Sequence, residues 1–126
     1  MSWNFLLIVG AVFAAMAGLK RLGLVSAETA RKYLKQGAMV VDVRSVQEFR
    51  AGHLANAVNI PLDELQNSLP RHVSDKNRVL LLHCLSGTRS GIARRALKSM
   101  GYANVFNLGS YGRAKSILSR VIVPAK

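Results

Sequence analysis

The chain has 126 residues, half of them hydrophobic, which is enough for one globular domain with a short appended element and excludes a disordered segment. Its 18 lysines and arginines against 6 acidic residues leave a net charge of +12, yet aromatics make up only 6% and no nucleic-acid-binding signature is present. An anionic membrane surface or a small anionic substrate therefore fits the charge better than a nucleic acid, which is not expected as a partner.

Residues 1–19 carry no charged side chain, and residues 3–19 form an apolar run at the short end of the range for a transmembrane helix. Trp3 would mark one interface and Lys20 and Arg21 the other. Arg31, Lys32 and Lys35 follow, so the positive-inside bias places the rest of the chain in the cytoplasm. The expectation is a single-pass membrane protein, with residues 1–22 as the helix and residues 23–126 as the domain. The rival is an exported chain whose signal peptide is cleaved after Ala15-Met16-Ala17. It is weakened by the absence of Lys or Arg ahead of the apolar run. A core helix should show a polar face, and this segment has none.

Residues 23–26 read as a short first strand. Ser26 caps a helix over residues 27–36, with Glu28 in its first turn and Lys35 in its last, and Gly37 ends it. Residues 38–43 are a β-branched second strand. Ser45 and Glu48 have the spacing of a capping box opening a short helix that runs to Ala51. Residues 57–60 form a third strand closed by Pro61, residues 62–69 are helical in pattern, and residues 70–77 connect onward. Residues 79–82 are an unbroken apolar run, as expected of a strand covered on both faces. A polar loop leads to a helix starting at Ser90 and stopped by Gly101. Residues 104–108 are a fifth strand and residues 111–121 a last helix. Alternation of strands with helices indicates an α/β domain with a central, parallel, five-stranded sheet flanked by helices. Ligands of such sheets bind beyond the carboxyl ends of the strands, where the loop after His83 lies.

That loop, Cys84-Leu85-Ser86-Gly87-Thr88-Arg89-Ser90, holds the only cysteine. A single cysteine excludes an internal disulfide and a cysteine-rich metal site; no metal and no cofactor are expected. A lone cysteine is ordinarily a small buried hydrophobe. A thiol just ahead of a helix N-terminus, however, faces unpaired N–H groups and the positive end of the helix dipole, and both favour the nucleophilic thiolate. Gly87 lets the backbone turn tightly around an anion, and Arg89 supplies a permanent charge on a planar fork of donors.

Two blocks carry a resemblance to a known family. The first runs Val41-Asp42-Val43-Arg44, Glu48-Phe49, Gly52-His53-Leu54, Asn56-Ala57 and Asn59-Ile60-Pro61; the second is the loop from Cys84 to Ser90. Together, over about residues 24–112, the chain resembles a single-domain rhodanese-like sulfurtransferase. The resemblance implies persulfide chemistry. The Cys84 thiolate attacks the outer sulfur of a donor such as thiosulfate, and a thiophilic acceptor, cyanide or a cellular thiol, then removes that sulfur. The partners it implies are thus a small anionic sulfur donor and a thiol acceptor. Backbone N–H groups of Leu85, Ser86, Gly87, Thr88, Arg89 and Ser90 would cradle the terminal sulfur, and Arg89 would bind the anionic donor or steady the persulfide. Two positions depart from the pattern. Leu85 stands where a basic residue is frequent, and Gly109-Ser110-Tyr111-Gly112 lacks the usual nearby tryptophan.

Other polar residues have plainer readings. Asp42 and Arg44, at a strand end, read first as a structural ion pair, with a substrate contact or a supporting role behind the loop as the lesser reading. Glu48 is accounted for by its capping box. His53 follows a turn glycine and reads as structural, and His83 precedes the cysteine but faces the other side of its strand.

Two rival functions remain. A cysteine phosphatase or arsenate reductase needs five residues between Cys and Arg to encircle a tetrahedral oxyanion, whereas four intervene between Cys84 and Arg89. The other rival is a membrane-tethered sulfur carrier or adaptor with little turnover of its own: retention of Cys84 and Arg89 argues against an inert adaptor but does not separate a carrier from an enzyme.

Overall fold

A computed structural model describes residues 2–121, and for residues 15–22 the backbone alone. The chain forms α1 (Trp3–Leu22), α2 (Ala27–Lys35), β1 (Met39–Asp42), α3 (Val46–Ala51), β2 (Val58–Asn59), a 3-10 turn (Leu62–Glu64), α4 (Leu65–His72), β3 (Leu80–His83), α5 (Thr88–Ser99), β4 (Val105–Gly109) and α6 (Tyr111–Ser119).

Among the described residues the sheet has four strands in the order β2-β1-β3-β4, all parallel, and not the five expected. The missing strand is the segment at residues 23–26. It makes a single bridge, Leu24 to Asn107, with the Val25 N–H on the Asn107 carbonyl at 3.0 Å. Extension stops there because Ser26 caps α2, its hydroxyl oxygen accepting the Thr29 N–H at 3.2 Å, and the chain turns off the sheet.

Side-chain alternation along β3 divides the core into two layers. Leu80, Leu82 and Cys84 pack with Val41, Val43, Leu65, Leu69, Ala93, Leu97 and Tyr102, beneath α4 and α5. Leu81 packs with Val40, Ala30, Leu34, Leu108, Ala114 and Ile117, beneath α2 and α6. Each fully buried leucine contributes about 1.5–3 kcal/mol, so the apolar run of β3 anchors both layers at once.

Helix boundaries depart from expectation in three places. α4 runs through Pro70 to His72, its ladder resuming with the Val73 N–H on the Leu69 carbonyl at 2.8 Å. α5 begins at Thr88, not Ser90, because Gly87 takes a left-handed conformation at φ +97° and serves as N-cap. α6 ends at Ser119. At the N-terminus, α1 forms and continues past the apolar run through Lys20 and Arg21. Among the described residues no helix is long and apolar enough to cross a membrane, so residues 1–22 are not supported as a transmembrane helix. The side chains of residues 15–19 of that expected span lie outside the described ones.

Register brings the strand ends together. Asp42 of β1 pairs with His83 of β3, the Val43 N–H donates to the His83 carbonyl at 3.0 Å, and the Cys84 N–H donates to the Gly109 carbonyl at 3.2 Å. The carboxyl ends of three strands thus meet at the cysteine.

Candidate active site

Cys84 leaves β3 fully buried. The loop beyond it is fastened to the turn after β4: Ser86 bridges Ser110, and the Tyr111 N–H donates to the Leu85 carbonyl at 3.2 Å. The two chains touch through glycines. A Cβ on Gly87 would lie 3.3 Å from Gly109 Cα, and one on Gly109, at φ +92°, would lie 3.0 Å from Leu24 Cδ2. The glycine of the second expected signature thereby acquires its role, close approach to the loop, and Tyr111 occupies the turn without a tryptophan.

Inside this turn the Gly87 N–H points at Cys84 Sγ at 3.0 Å, and the Ser90 hydroxyl lies 3.5 Å from the same sulfur. Burial pushes the thiol up. Hydrogen bonds from the Ser90 hydroxyl and from the backbone N–H groups of Ser90, Gly87 and Ser86 outweigh burial and hold it below the ordinary cysteine value. Ser90 is therefore a buried first-turn residue aimed at the sulfur, and not the helix cap expected from sequence.

The remaining loop residues divide by role. Leu85 is 59% exposed, so its side chain stands off the sulfur. Ser86 and Thr88 hydroxyls lie 3.4 Å apart, on the exposed side. Arg89 makes a two-point ion pair with Glu48, Nη1 to Oε1 at 2.6 Å and Nη2 to Oε2 at 3.0 Å. That pair, foremost, raises Arg89 above its ordinary value, with a smaller contribution from the neighbouring Cys84. The Arg89 bonds also hold the Glu48 carboxyl down to about 2.

Asp42 and Arg44 form a buried pair, Nη2 to Oδ2 at 2.8 Å, and Arg44 also reaches the Gly52 carbonyl at 2.8 Å and stacks 4.7 Å over the Tyr111 ring. Asp42 alternates with Val41 and Val43, which share the layer of Cys84, so this pair lies in the opposite layer. His83 lies there too, 3.7 Å from Asp42 and with its ring 6.0 Å from that of Tyr111; burial lowers its pKa, and its ring nitrogens are buried without a hydrogen-bond partner. These residues brace the strand ends behind the thiol and do not touch it. His53 stacks on Phe49 and holds the Phe49 carbonyl through Nδ1 at 2.9 Å, on the exposed end of α3.

Two site residues escape sequence reasoning. Glu48 keeps its capping box with Ser45 while also holding Arg89, 41 residues away. Asn107, buried in β4, has its side-chain oxygen 2.7 Å from the Ser90 hydroxyl, which it shares as an acceptor with Cys84 Sγ, accepts the Gly109 N–H at 2.8 Å, and donates to the Gly87 carbonyl at 3.1 Å. An asparagine inside an apolar strand was the available signal, since a buried amide must find partners.

Beside the loop, Val43, Ser45, Pro61, Leu62, Asp63 and Arg89 line a recess of about 420 Å³. A larger depression of about 630 Å³ runs along α2 between Glu28, Arg31, Lys32 and Lys35, and no thiol lines it. Among the described residues no cluster of His, Cys, Asp and Glu could hold a metal ion. The arrangement can therefore generate a thiolate and hold a small negative charge next to it with fixed N–H donors.

The sequence pattern of the rhodanese-like domain matches residues 26–112. The thiosulfate sulfurtransferase PspE of Escherichia coli is 38% identical over 69 residues, which cover 55% of this chain and 66% of PspE. This chain thus spans just under two thirds of that relative. Among solved structures, a rhodanese with anions from E. coli superposes with a TM-score of 0.59 at 34% identity, covering 61% of this chain and 91% of the other. The human single-domain sulfurtransferase TSTD1 superposes with a TM-score of 0.62 at 27% identity, covering 79% and 98%.

Proposed function

The chain belongs to the rhodanese-like domain family, and from that footing we propose that it is a sulfurtransferase working through a persulfide on Cys84. The observation that carries the proposal is the Gly87 N–H at 3.0 Å from Sγ, the nearest of several donors that hold the thiol below its ordinary value. Such a thiolate attacks the outer sulfur of a donor. With thiosulfate the S–S bond breaks, sulfite leaves with the electron pair, and Cys84–S–S⁻ remains. The N–H groups of Ser86, Gly87 and Ser90 hold the negative charge through both half-reactions. An acceptor thiolate then attacks the terminal sulfur and returns the Cys84 thiolate. Cys84 has no exposed surface, so a donor reaches it only when the surrounding turn moves.

A second reading, a sulfur carrier that loads once and hands its persulfide to one partner, is supported by 32% identity over 69 residues to the putative sulfur carrier protein YrkF of Bacillus subtilis, 36% of which is covered. Steady-state turnover with thiosulfate and a thiol acceptor separates the two: many turnovers per chain support the enzyme, and a single loading supports the carrier. In either case, incubation of the chain with a sulfane donor adds one sulfur at Cys84, and Cys84→Ser abolishes the adduct.

Membrane association is a separate part of the proposal, with the domain on the cytoplasmic side. It is supported by the exposed apolar side chains of Trp3, Phe5, Leu7 and Ile8 on α1 and by the basic residues Arg31, Lys32 and Lys35 on α2. Cell fractionation with a C-terminal reporter tests it; recovery in the soluble fraction, or a reporter facing outward, contradicts it.

A further inference from the structure

Arg89 is the only charged residue between Cys84 and Ser90, so it is the natural receptor for an anionic donor. It is already occupied. Both of its terminal nitrogens face both oxygens of Glu48, at 2.6 and 3.0 Å. Glu48 is fixed from its other side, where Oε1 accepts the Ser45 N–H at 3.2 Å and the Ser45 hydroxyl at 3.1 Å. The pair is therefore built into the start of α3 and does not depend on two free side chains meeting in solvent.

The recess adds no positive charge beyond Arg89, and Arg44 nearby is engaged by Asp42. The adjoining recess offers apolar Val43, Pro61 and Leu62 and a second carboxylate, Asp63, and the residue after the thiol is the exposed Leu85. Next to the thiol, the one guanidinium of the loop is thus held by the Glu48 carboxylate, with the Asp63 carboxylate on the wall of the same recess. The net charge of +12 belongs to the chain as a whole; salt screens it beyond about 10 Å, so it hastens encounter with any anion without choosing which one fits at the sulfur.

We propose that Glu48 sets the donor class: by occupying Arg89 beside Cys84, it disfavours the thiosulfate dianion and suits the site to an organic persulfide, R–S–SH, that is neutral in its reacting form. This rests on the sulfurtransferase reading. The transfer balances as Cys84–S⁻ + R–S–SH → Cys84–S–SH + R–S⁻. The thiolate bonds to the outer sulfur, the R–S bond to that sulfur breaks, and the electron pair leaves on R–S⁻. The proton stays on the transferred sulfur, and no outside oxidant or reductant is needed. An apolar R group finds Leu85, Pro61 and Leu62 at the mouth.

The test uses the full chain and Glu48→Gln, with two probes: thiosulfate and the persulfide of 2-mercaptoethanol. Glutamine keeps the capping box, so the variant retains α3 while losing the charge. Loading of Cys84 is followed by intact mass, and steady-state rates are measured with one common acceptor. We expect Glu48→Gln to lower the KM for thiosulfate about tenfold, as removal of one charge a few ångströms from a dianion predicts. The KM for the organic persulfide should fall by less than about twofold, because a neutral donor does not feel that charge, so the ratio of the two KM values is the readout. Asp63→Asn should shift thiosulfate in the same direction by less. An unchanged KM for thiosulfate in Glu48→Gln, or an equal loss with both donors, overturns the proposal. Absence of any adduct from either donor overturns the sulfurtransferase reading with it.

Discussion

The side-chain oxygen of Asn107 lies 2.7 Å from the Ser90 hydroxyl and 2.8 Å from the Gly109 N–H, inside the sheet. Its amide nitrogen holds the Gly87 carbonyl at 3.1 Å. One buried asparagine therefore ties the last strand to both ends of the turn that surrounds Cys84.

Asn107→Ala should leave the Gly109 N–H without its partner in a buried place, while the Gly87 carbonyl keeps the Gly91 N–H at 3.0 Å and the Ser90 hydroxyl at 3.1 Å. The orphaned group costs about 1–3 kcal/mol, and a loss of that size is expected together with loss of sulfur transfer. Denaturant unfolding reads the stability. An unchanged midpoint would show that Asn107 does not brace the loop.

Ser90→Ala removes a hydroxyl hydrogen bond that favours the thiolate. The reactive form of Cys84 is the anion, so the pH at which alkylation reaches half its maximum should lie below that of a free thiol in the wild type and rise in the variant. Rates of iodoacetamide modification across pH measure both. A downward shift, or none, contradicts the role given to Ser90.

Gly87→Ala forces a side chain into a φ of +97° and places its Cβ 3.3 Å from Gly109 Cα. The strain is about 1–2 kcal/mol, and it falls on the residue whose N–H meets the sulfur. Sulfur transfer should drop by more than the stability loss explains, a comparison made on fully folded protein.

The Glu48–Arg89 pair predicts an acid limb in stability. The Glu48 carboxyl sits at about 2 in the fold against an ordinary 4.5, chiefly through its bonds to Arg89. A lowered carboxyl favours folding above the ordinary value, and that contribution fades as pH falls from about 4.5 towards 2. With both side chains about a third exposed, solvent screening keeps it to about 1 kcal/mol or less. In Glu48→Gln this part of the pH dependence should vanish.

Much of this arrangement was legible from local pattern. The apolar run before Cys84 marked a strand buried on both faces, and the glycine after it marked a tight turn. The Ser26 cap and the Ser45–Glu48 capping box were also readable, because each is settled within a few residues. Long-range choices were not. Residues 23–26 look like a strand, yet only Leu24 bridges the sheet before Ser26 turns the chain away. Ser90 has the chemistry of a cap, yet Gly87 in a left-handed conformation starts the helix two residues earlier and turns Ser90 inward. Glu48 already had a local explanation, which concealed its second partner 41 residues away.

The central claim is that Cys84 carries sulfur. Intact mass spectrometry of the full chain after exposure to a sulfane donor tests it most directly. One added sulfur atom, released by a thiol acceptor and absent in Cys84→Ser, is the predicted result. An unaltered mass with both thiosulfate and an organic persulfide would contradict it.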